Sequence, residues 1–212
     1  MPVLQQQSQT LTQRIHENIL VVPRATLFQN HPVWHGIKTC LFDDFCANIQ
    51  QHASYMPRPH AETNPIYKQI IPYVLFTYDK KLFVMQRKST ASEQRLASKF
   101  SLGIGGHIRH EDIQNNNIMS WAQREFNEEV TYAGSTNTVN IGILNDDSTS
   151  VGQVHLGIIL LMKGNNDKIS INDEHKSGTL LTLAECQNIY HQMESWSQLC
   201  LDFILQHPNI LE

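Results

Sequence analysis

The sequence predicts an α/β fold, an α/β/α sandwich around a mixed central sheet, and three observations carry that expectation. Residues 68–78 and 81–87 are β-branched and aromatic runs joined at Asp79-Lys80, a hairpin signal. Residues 154–163 are apolar almost without interruption, which suits a strand covered on both faces. Helical periodicity then appears at 119–130 and again after residue 183, so that strands fall in the middle and helices are left to cover them.

Along the chain, Ile19–Val22 and Ala25–Phe28 flank Pro23-Arg24 and read as paired strand segments. Residues 39–54 carry helical spacing at Leu41, Phe45, Ile49 and His52, and residues 55–62, broken by Pro57 and Pro59, read as a connector. Residues 1–66 therefore form an amino-terminal elaboration and 67–212 the main domain. Pro72 is awkward within the first long run and implies an edge position or a bulge. Phe100–Ile104 gives a further strand, and a helix over Met119–Val130 turns Ala122 and Phe126 to the core opposite its acidic side. Val139–Leu144 and Val154–Lys163 read as strands, and Leu183–Tyr190 and Trp196–Gln206 as helices. The first of these helices is capped by Thr182, with Glu185 three residues on.

At 212 residues and 41% hydrophobic content the chain can bury a substantial core as one elaborated domain. A net charge of −4 and a pI near 6.2 give no basic field for duplex binding, so no nucleic-acid partner is expected. The start, Met1-Pro2-Val3-Leu4-Gln5-Gln6-Gln7, lacks the charged and apolar regions of a leader, and no apolar run reaches spanning length. A cytoplasmic protein without membrane contact is the expectation. Cys40, Cys46, Cys186 and Cys200 are scattered without CxxC spacing, which reads as thiols rather than a zinc or disulfide framework.

The chemistry is concentrated in Gly105-Gly106-His107-Ile108 and, past a polar loop, Arg124-Glu125-Phe126-Asn127-Glu128-Glu129. On a helix, Glu125, Glu128 and Glu129 stand at i, i+3 and i+4 and share a face. Like charges so placed cost roughly 0.2–0.5 kcal/mol per pair, and a divalent cation turns that repulsion into ligation. Clustered carboxylates suit Mg²⁺ or Mn²⁺, whereas Zn²⁺ recruits His and Cys more often. Metal-assisted phosphate chemistry is the expectation.

These residues resemble the signature box of the Nudix hydrolase superfamily, Gly-x5-Glu-x7-Arg-Glu-U-x-Glu-Glu-x-Gly-U with U a bulky apolar residue. Residues 124–129 match its second half at every fixed position. The resemblance implies the Nudix-type sandwich and a metal-dependent hydrolase of a nucleoside diphosphate linked to another group, or a similar phosphoanhydride. It implies Mg²⁺ or Mn²⁺ held by Glu125, Glu128 and Glu129, a further ligand from a carbonyl of Gly105 or Gly106, and Arg124 pairing with the glutamates to hold them in place. It also implies a small-molecule substrate and, since the family's members are often homodimers, a homodimer. The catalytic base falls to Glu128, Glu129 or Glu174, the last on a loop where many members carry a glutamate. Arg87, Arg95 and Lys99 stand where the family's basic residues hold the diphosphate.

The sequence departs from the box in two places. The first acidic position is either Glu111, counted from Gly105, or Asp112, counted from Gly106, and the distance onward to Arg124 is longer than usual, through a polar insertion at 113–117. The glycine that ends the family's helix is Thr131 here, with Tyr132 at the apolar place. Another residue filling that backbone role implies some strain.

Asp146 and Asp147 compete with Glu174 for its role. His155 reads first as a hydrogen-bonded core histidine and second as a substrate contact. Lys68 and Gln69, in a segment resembling the opening strand of a Nudix subgroup with an extended amino terminus, read either as cleft residues or as ordinary strand-end polarity. Two other functions stay open. One is a non-catalytic ligand-binding module acting through residues 1–66. The other is a diphosphate isomerase, which needs a cysteine near the site.

Overall fold

A computed structural model describes residues 17–39, 42–88, 99–115, 117–172 and 175–212, with only the backbone given for 113–115. Its core is two long neighbouring strands, β4 (Tyr67–Tyr78) and β10 (His155–Gly164), which run parallel from His155↔Gln69 to Lys163↔Thr77. Around them lie β5 (Lys81–Arg87), β9 (Thr136–Asn145), β2 (Gly36–Lys38) and β12 (His175–Leu181), in the order β12-β5-β4-β10-β9-β2. The remaining pairings are antiparallel, so the sheet is mixed as expected.

Period-two alternation divides β4 and β10 between two apolar layers. Val74, Phe76, Ile158, Leu160 and Met162 face α4 (Ile118–Glu129), meeting its Trp121, Ala122 and Phe126. Tyr73, Leu75, Ile159 and Leu161 face α7 (Ser195–Gln206), meeting Cys200, Leu201 and Ile204. Both faces are covered, which is why these strands lack the polar alternation of a one-sided sheet. The β4–β5 turn places Asp79 and Lys80 at φ 49° and 59°, the left-handed pair that a two-residue hairpin needs.

The amino-terminal region departs from expectation in two places. The segment after β1 (Asn18–Pro23) is a single helical turn, α1 (Arg24–Leu27), rather than a second strand. Pro23 sets the turn and Leu27 is buried by it. The segment read as a connector contains β3 (Ser54–Pro57) and a second short turn, α3 (Arg58–Ala61), again opened by proline. Between them lie β2 and α2 (Phe42–His52), which buries Phe45 and Ile49. β1 pairs with both β3 and β4, so residues 18–23 extend the main sheet.

Pro72 does not mark an edge strand, since β4 is central. On one side β4 pairs with β1 at residues 67–69 and with β7 (Gly103–Gly105) at 73–75, and Pro72 falls in the gap between them. Its carbonyl lies on that side, 2.7 Å from where a Cβ on Gly105 would stand. The missing N–H therefore faces the gap, and the ladder to β10 is unbroken. The remaining elements are β6 (Phe100–Ser101), α5 (Ser150–Gln153), α6 (Leu183–Asn188) and a small two-stranded sheet of β8 (Val130–Tyr132) and β11 (Ile169–Ile171). Thr182 and Glu185 form the anticipated capping box on α6. No helix among the described residues is long and apolar enough to cross a membrane.

Candidate active site

β7 ends at Gly105, Gly106 follows it, and the chain crosses a 3-10 turn at 110–115 before Asn117 caps α4 by accepting from the Met119 N–H at 2.9 Å. The inserted polar stretch is thus partly a helical turn. The helix brings Glu125 back against the glycines: a Cβ on Gly106 would stand 2.2 Å from Glu125 Oε2. Glycine is needed there to leave room for that carboxylate, not for an unusual backbone angle.

Arg124 is the hub of the cluster. Its Nη2 donates to Asp112 at 2.9 Å and to the His107 carbonyl at 3.2 Å and lies in an ion pair with Glu125 at 2.8 Å, and its Nη1 donates to Glu128 at 3.0 Å. Arg109 holds the other oxygen of Glu128 at 3.1 Å and reaches Glu17 at 3.0 Å. Asp112 also accepts the Arg109 N–H at 2.8 Å, while Glu111 is exposed, so Asp112 is the acidic residue facing the cluster. Glu129 is buried and accepts from His175 Nε2 at 2.7 Å. Glu125 and Glu129 flank the buried side of α4 rather than standing opposite Ala122 and Phe126, so two of the three carboxylates are largely shielded from water. Burial pushes the Glu125 carboxyl up to about 7; Arg124 pulls it down, and Glu128 adds to the rise.

The end of α4 needs no glycine. Val130 leaves the helix at φ −136°, ψ 153° and enters β8 directly, without strain at Thr131. Asn172 covers the last carbonyls instead. Its Nδ2 donates to the Glu128 carbonyl at 3.0 Å and to that of Asn127 at 3.3 Å, and its backbone N–H donates to Glu129 at 2.8 Å.

The other candidates separate. Arg87 lies opposite His175 in the β5–β12 pairing, with Nε 3.6 Å from the buried Glu194. Lys99 is exposed, and its carbonyl accepts from the Arg87 N–H at 3.1 Å. Arg95 and Glu174 lie outside the described residues, as does Cys40. Asp147 is bound by Arg24 at 3.0 Å and by the wholly buried Lys68 at 2.7 Å, which hold its carboxyl well below the usual range against the opposing effect of burial. Asp146 is buried and accepts from the Ser148 N–H at 3.0 Å. Lys68 and Asp147 are thus committed to a network joining α1, β4 and the loop after β9, while Asp146 bonds within that loop. Gln69 is buried beside His107, and His155 is the hydrogen-bonded core histidine, donating from Nδ1 to the Val151 carbonyl at 2.7 Å.

His175, Asn172 and Arg109 were not legible as site residues: His175 and Asn172 lie outside the box and come beside it through the β12–β5 and β11–β8 pairings, while Arg109 stands at a variable position within the box and meets Glu128 only once the loop after Gly106 folds back on α4. Among the described residues, no three acidic, histidine or cysteine side chains converge on one point as ligands would. The donors Glu125, Glu128, Glu129 and the glycine carbonyls have the hard oxygen chemistry of a Mg²⁺ or Mn²⁺ site, with Glu125 and Glu128 resting on Arg124 and Glu129 on His175.

No protein-family model matches the chain. Protein YmaB of Bacillus subtilis (strain 168) is 30% identical over 207 residues, spanning 90% of this chain and 98% of YmaB. The crystal structure of Tm1382, a candidate Nudix hydrolase, superposes with a TM-score of 0.77 at 28% identity, covering 90% of this chain and 99% of Tm1382. At 14% identity the likeness is of fold alone. It extends to the MutT protein of Methanosarcina mazei Go1, with a TM-score of 0.50 over 66% of this chain and 95% of that one. It extends also to the Nudix domain of Shewanella oneidensis NrtR, solved with ADP-ribose, with a TM-score of 0.51 over 68% and 89%. The fold and the box together define the class: the chain belongs to the Nudix hydrolase superfamily.

Proposed function

We propose that the protein is a Mg²⁺- or Mn²⁺-dependent hydrolase of a phosphoanhydride, with a nucleoside diphosphate linked to another group as its substrate class. The observation that carries this reading is the placement of Glu125, Glu128 and Glu129 on α4, with Glu125 seated against the cradle that Gly106 leaves open. Bound ions would neutralise the diphosphate and lower the pKa of an attacking water. Arg124 keeps Glu125 and Glu128 in register, and His175 does the same for Glu129. Glu128, Glu129 or Glu174 takes the proton of the water, and Arg87, Arg95 and Lys99 supply charge for the substrate phosphates. A cytoplasmic location and a homodimer belong to the same reading.

The test is release of phosphate or mononucleotide from nucleotide sugars, ADP-ribose, dinucleotides and nucleoside triphosphates with either metal, comparing wild type with Glu129→Gln. Turnover abolished by the substitution supports the reading. Turnover and metal dependence that survive it overturn the mechanism.

The attachment of each carboxylate to Arg124, Arg109 or His175 favours one second reading, a module that binds such a ligand without cleaving it. Binding without turnover across metals and pH would select it. The isomerase reading is disfavoured by the cysteines. Burial pushes the Cys46 and Cys186 thiols up to about 11 and that of Cys200 higher still, so the described thiols are held protonated.

A further inference from the structure

On the α7 face of the sheet, next to the glycine turn, the side chains of His107 and His155 meet with their Nε2 atoms 3.4 Å apart. Gln69 Oε1 stands 2.8 Å from the same nitrogen of His107. Because His155 Nδ1 donates to the Val151 carbonyl at 2.7 Å, its Nε2 carries a lone pair. His107 Nε2 therefore faces two acceptors, and one N–H can serve Gln69 well, but 3.4 Å is too long for a good bond to His155. The spacing fits another arrangement. Two imidazole nitrogens on one tetrahedral ion, each at roughly 2.0–2.1 Å, stand about 3.3 Å apart, whereas Gln69 Oε1 at 2.8 Å is held as a hydrogen-bond acceptor and must turn outward by about half an ångström to join such an ion.

Two further observations point the same way. A ring whose other nitrogen donates to a backbone carbonyl is the usual support of a metal-bound histidine. Gln69 is wholly buried, and in turning Oε1 toward the histidines it leaves Nε2 buried without a partner among the described residues. The amide oxygen is thus held toward the histidines at the expense of its own N–H groups, which leaves it placed as a donor to a cation.

We propose that His107 Nε2, His155 Nε2 and Gln69 Oε1 form a binding site for a divalent ion of the Zn²⁺, Co²⁺ or Ni²⁺ class, separate from the carboxylates of α4. Imidazole donors select such ions, whereas Mg²⁺ and Mn²⁺ prefer the all-oxygen cluster. Three protein donors leave a coordination position open to water or another ligand. The site does not depend on the hydrolase reading, since it uses none of the glutamates.

The test is a titration of the full chain, stripped with chelator, with Zn²⁺ by calorimetry in excess Mg²⁺ and with Co²⁺ by its visible absorption. The expected result is a single Zn²⁺-binding event that Mg²⁺ does not displace, together with the strong Co²⁺ bands of tetrahedral coordination. His107→Ala and His155→Gln should each weaken binding about 100-fold or more, while Glu125→Gln should leave it in place. His107 is only half-buried, so its variant keeps the core intact, and an unchanged melting temperature will verify that. Absence of Zn²⁺ binding by the wild type, binding that survives both histidine substitutions, or equal loss in Glu125→Gln would each overturn the proposal.

Discussion

His175 donates from Nε2 to Oε2 of Glu129 at 2.7 Å, and both side chains are buried. The contact crosses from β12 to the last turn of α4, so the sheet edge that carries Arg87 and His175 also fixes the orientation of one glutamate of the box. A carboxylate aimed by a buried histidine is a familiar support for a metal ligand. His175→Ala is expected to weaken Mg²⁺ or Mn²⁺ activation by roughly 10–100-fold, with a smaller effect on turnover at saturating metal. His175→Gln, which keeps an N–H donor, should recover part of the loss. Metal titrations of activity check this, and equal loss in both variants at saturating metal would point to a purely structural role.

Gly106→Ala separates the site from the fold. The added Cβ meets the tip of Glu125, 2.2 Å away, and a flexible carboxylate can swing aside at little cost to folding. Stability should change by less than about 1 kcal/mol, while activity falls about 100-fold because the carboxylate is displaced from its seat. Gly152→Ala is the contrast. Its Cβ would meet the Asp146 carbonyl oxygen at 1.7 Å, and backbone cannot swing aside. That variant should lose roughly 2 kcal/mol or more of stability, read by denaturant unfolding.

The helix terminus gives a third prediction. Asn172→Ala removes two side-chain bonds to the final carbonyls of α4 and should cost about 1–2 kcal/mol. Thr131→Gly, although it restores the residue usual in the family, should lower the melting temperature as well. Thr131 lies in β8 opposite Ser170, and its Oγ1 donates to Asn172 at 2.8 Å, both of which favour the threonine. Thermal melts of the two variants test this, and a gain in stability for Thr131→Gly would show that the glycine is missed after all.

The layers, the hairpin and the helix of the box were legible because each is written in local periodicity: the alternation of β4, the apolar run of β10, the i, i+3, i+4 glutamates. The partners of those glutamates were not. Asp112 could be told from Glu111 only by the 3-10 turn that aims it at Arg124, and His175 reaches Glu129 only because β12 pairs with β5. Pro72 misled for the same reason: whether a proline interrupts a sheet depends on which neighbour faces its missing N–H, and that is a matter of register. The short turns at Arg24–Leu27 and Arg58–Ala61 are too brief to show a helical period.

The last prediction concerns Asp147, which is held by Arg24 and by Lys68, a lysine with no solvent exposure. Burial lowers the pKa of Lys68 and Asp147 opposes that effect, so replacing the carboxylate by a neutral amide leaves a buried ammonium with only neutral acceptors, the carbonyls of Gly152 and His155 among them. Asp147→Asn is expected to cost roughly 3 kcal/mol near neutral pH, the scale of unpairing a buried charge. The pH dependence follows from the sign of the shift. The folded pKa of Asp147 lies below its unfolded value of 3.8, so the stabilisation is complete above that value and is lost as pH falls toward the folded pKa. The gap between wild type and Asp147→Asn should therefore be constant from about pH 5 upward and narrow only in acid, below about pH 4. Urea unfolding across that range measures it, and a gap that narrows near neutrality would mean that a different group controls the network.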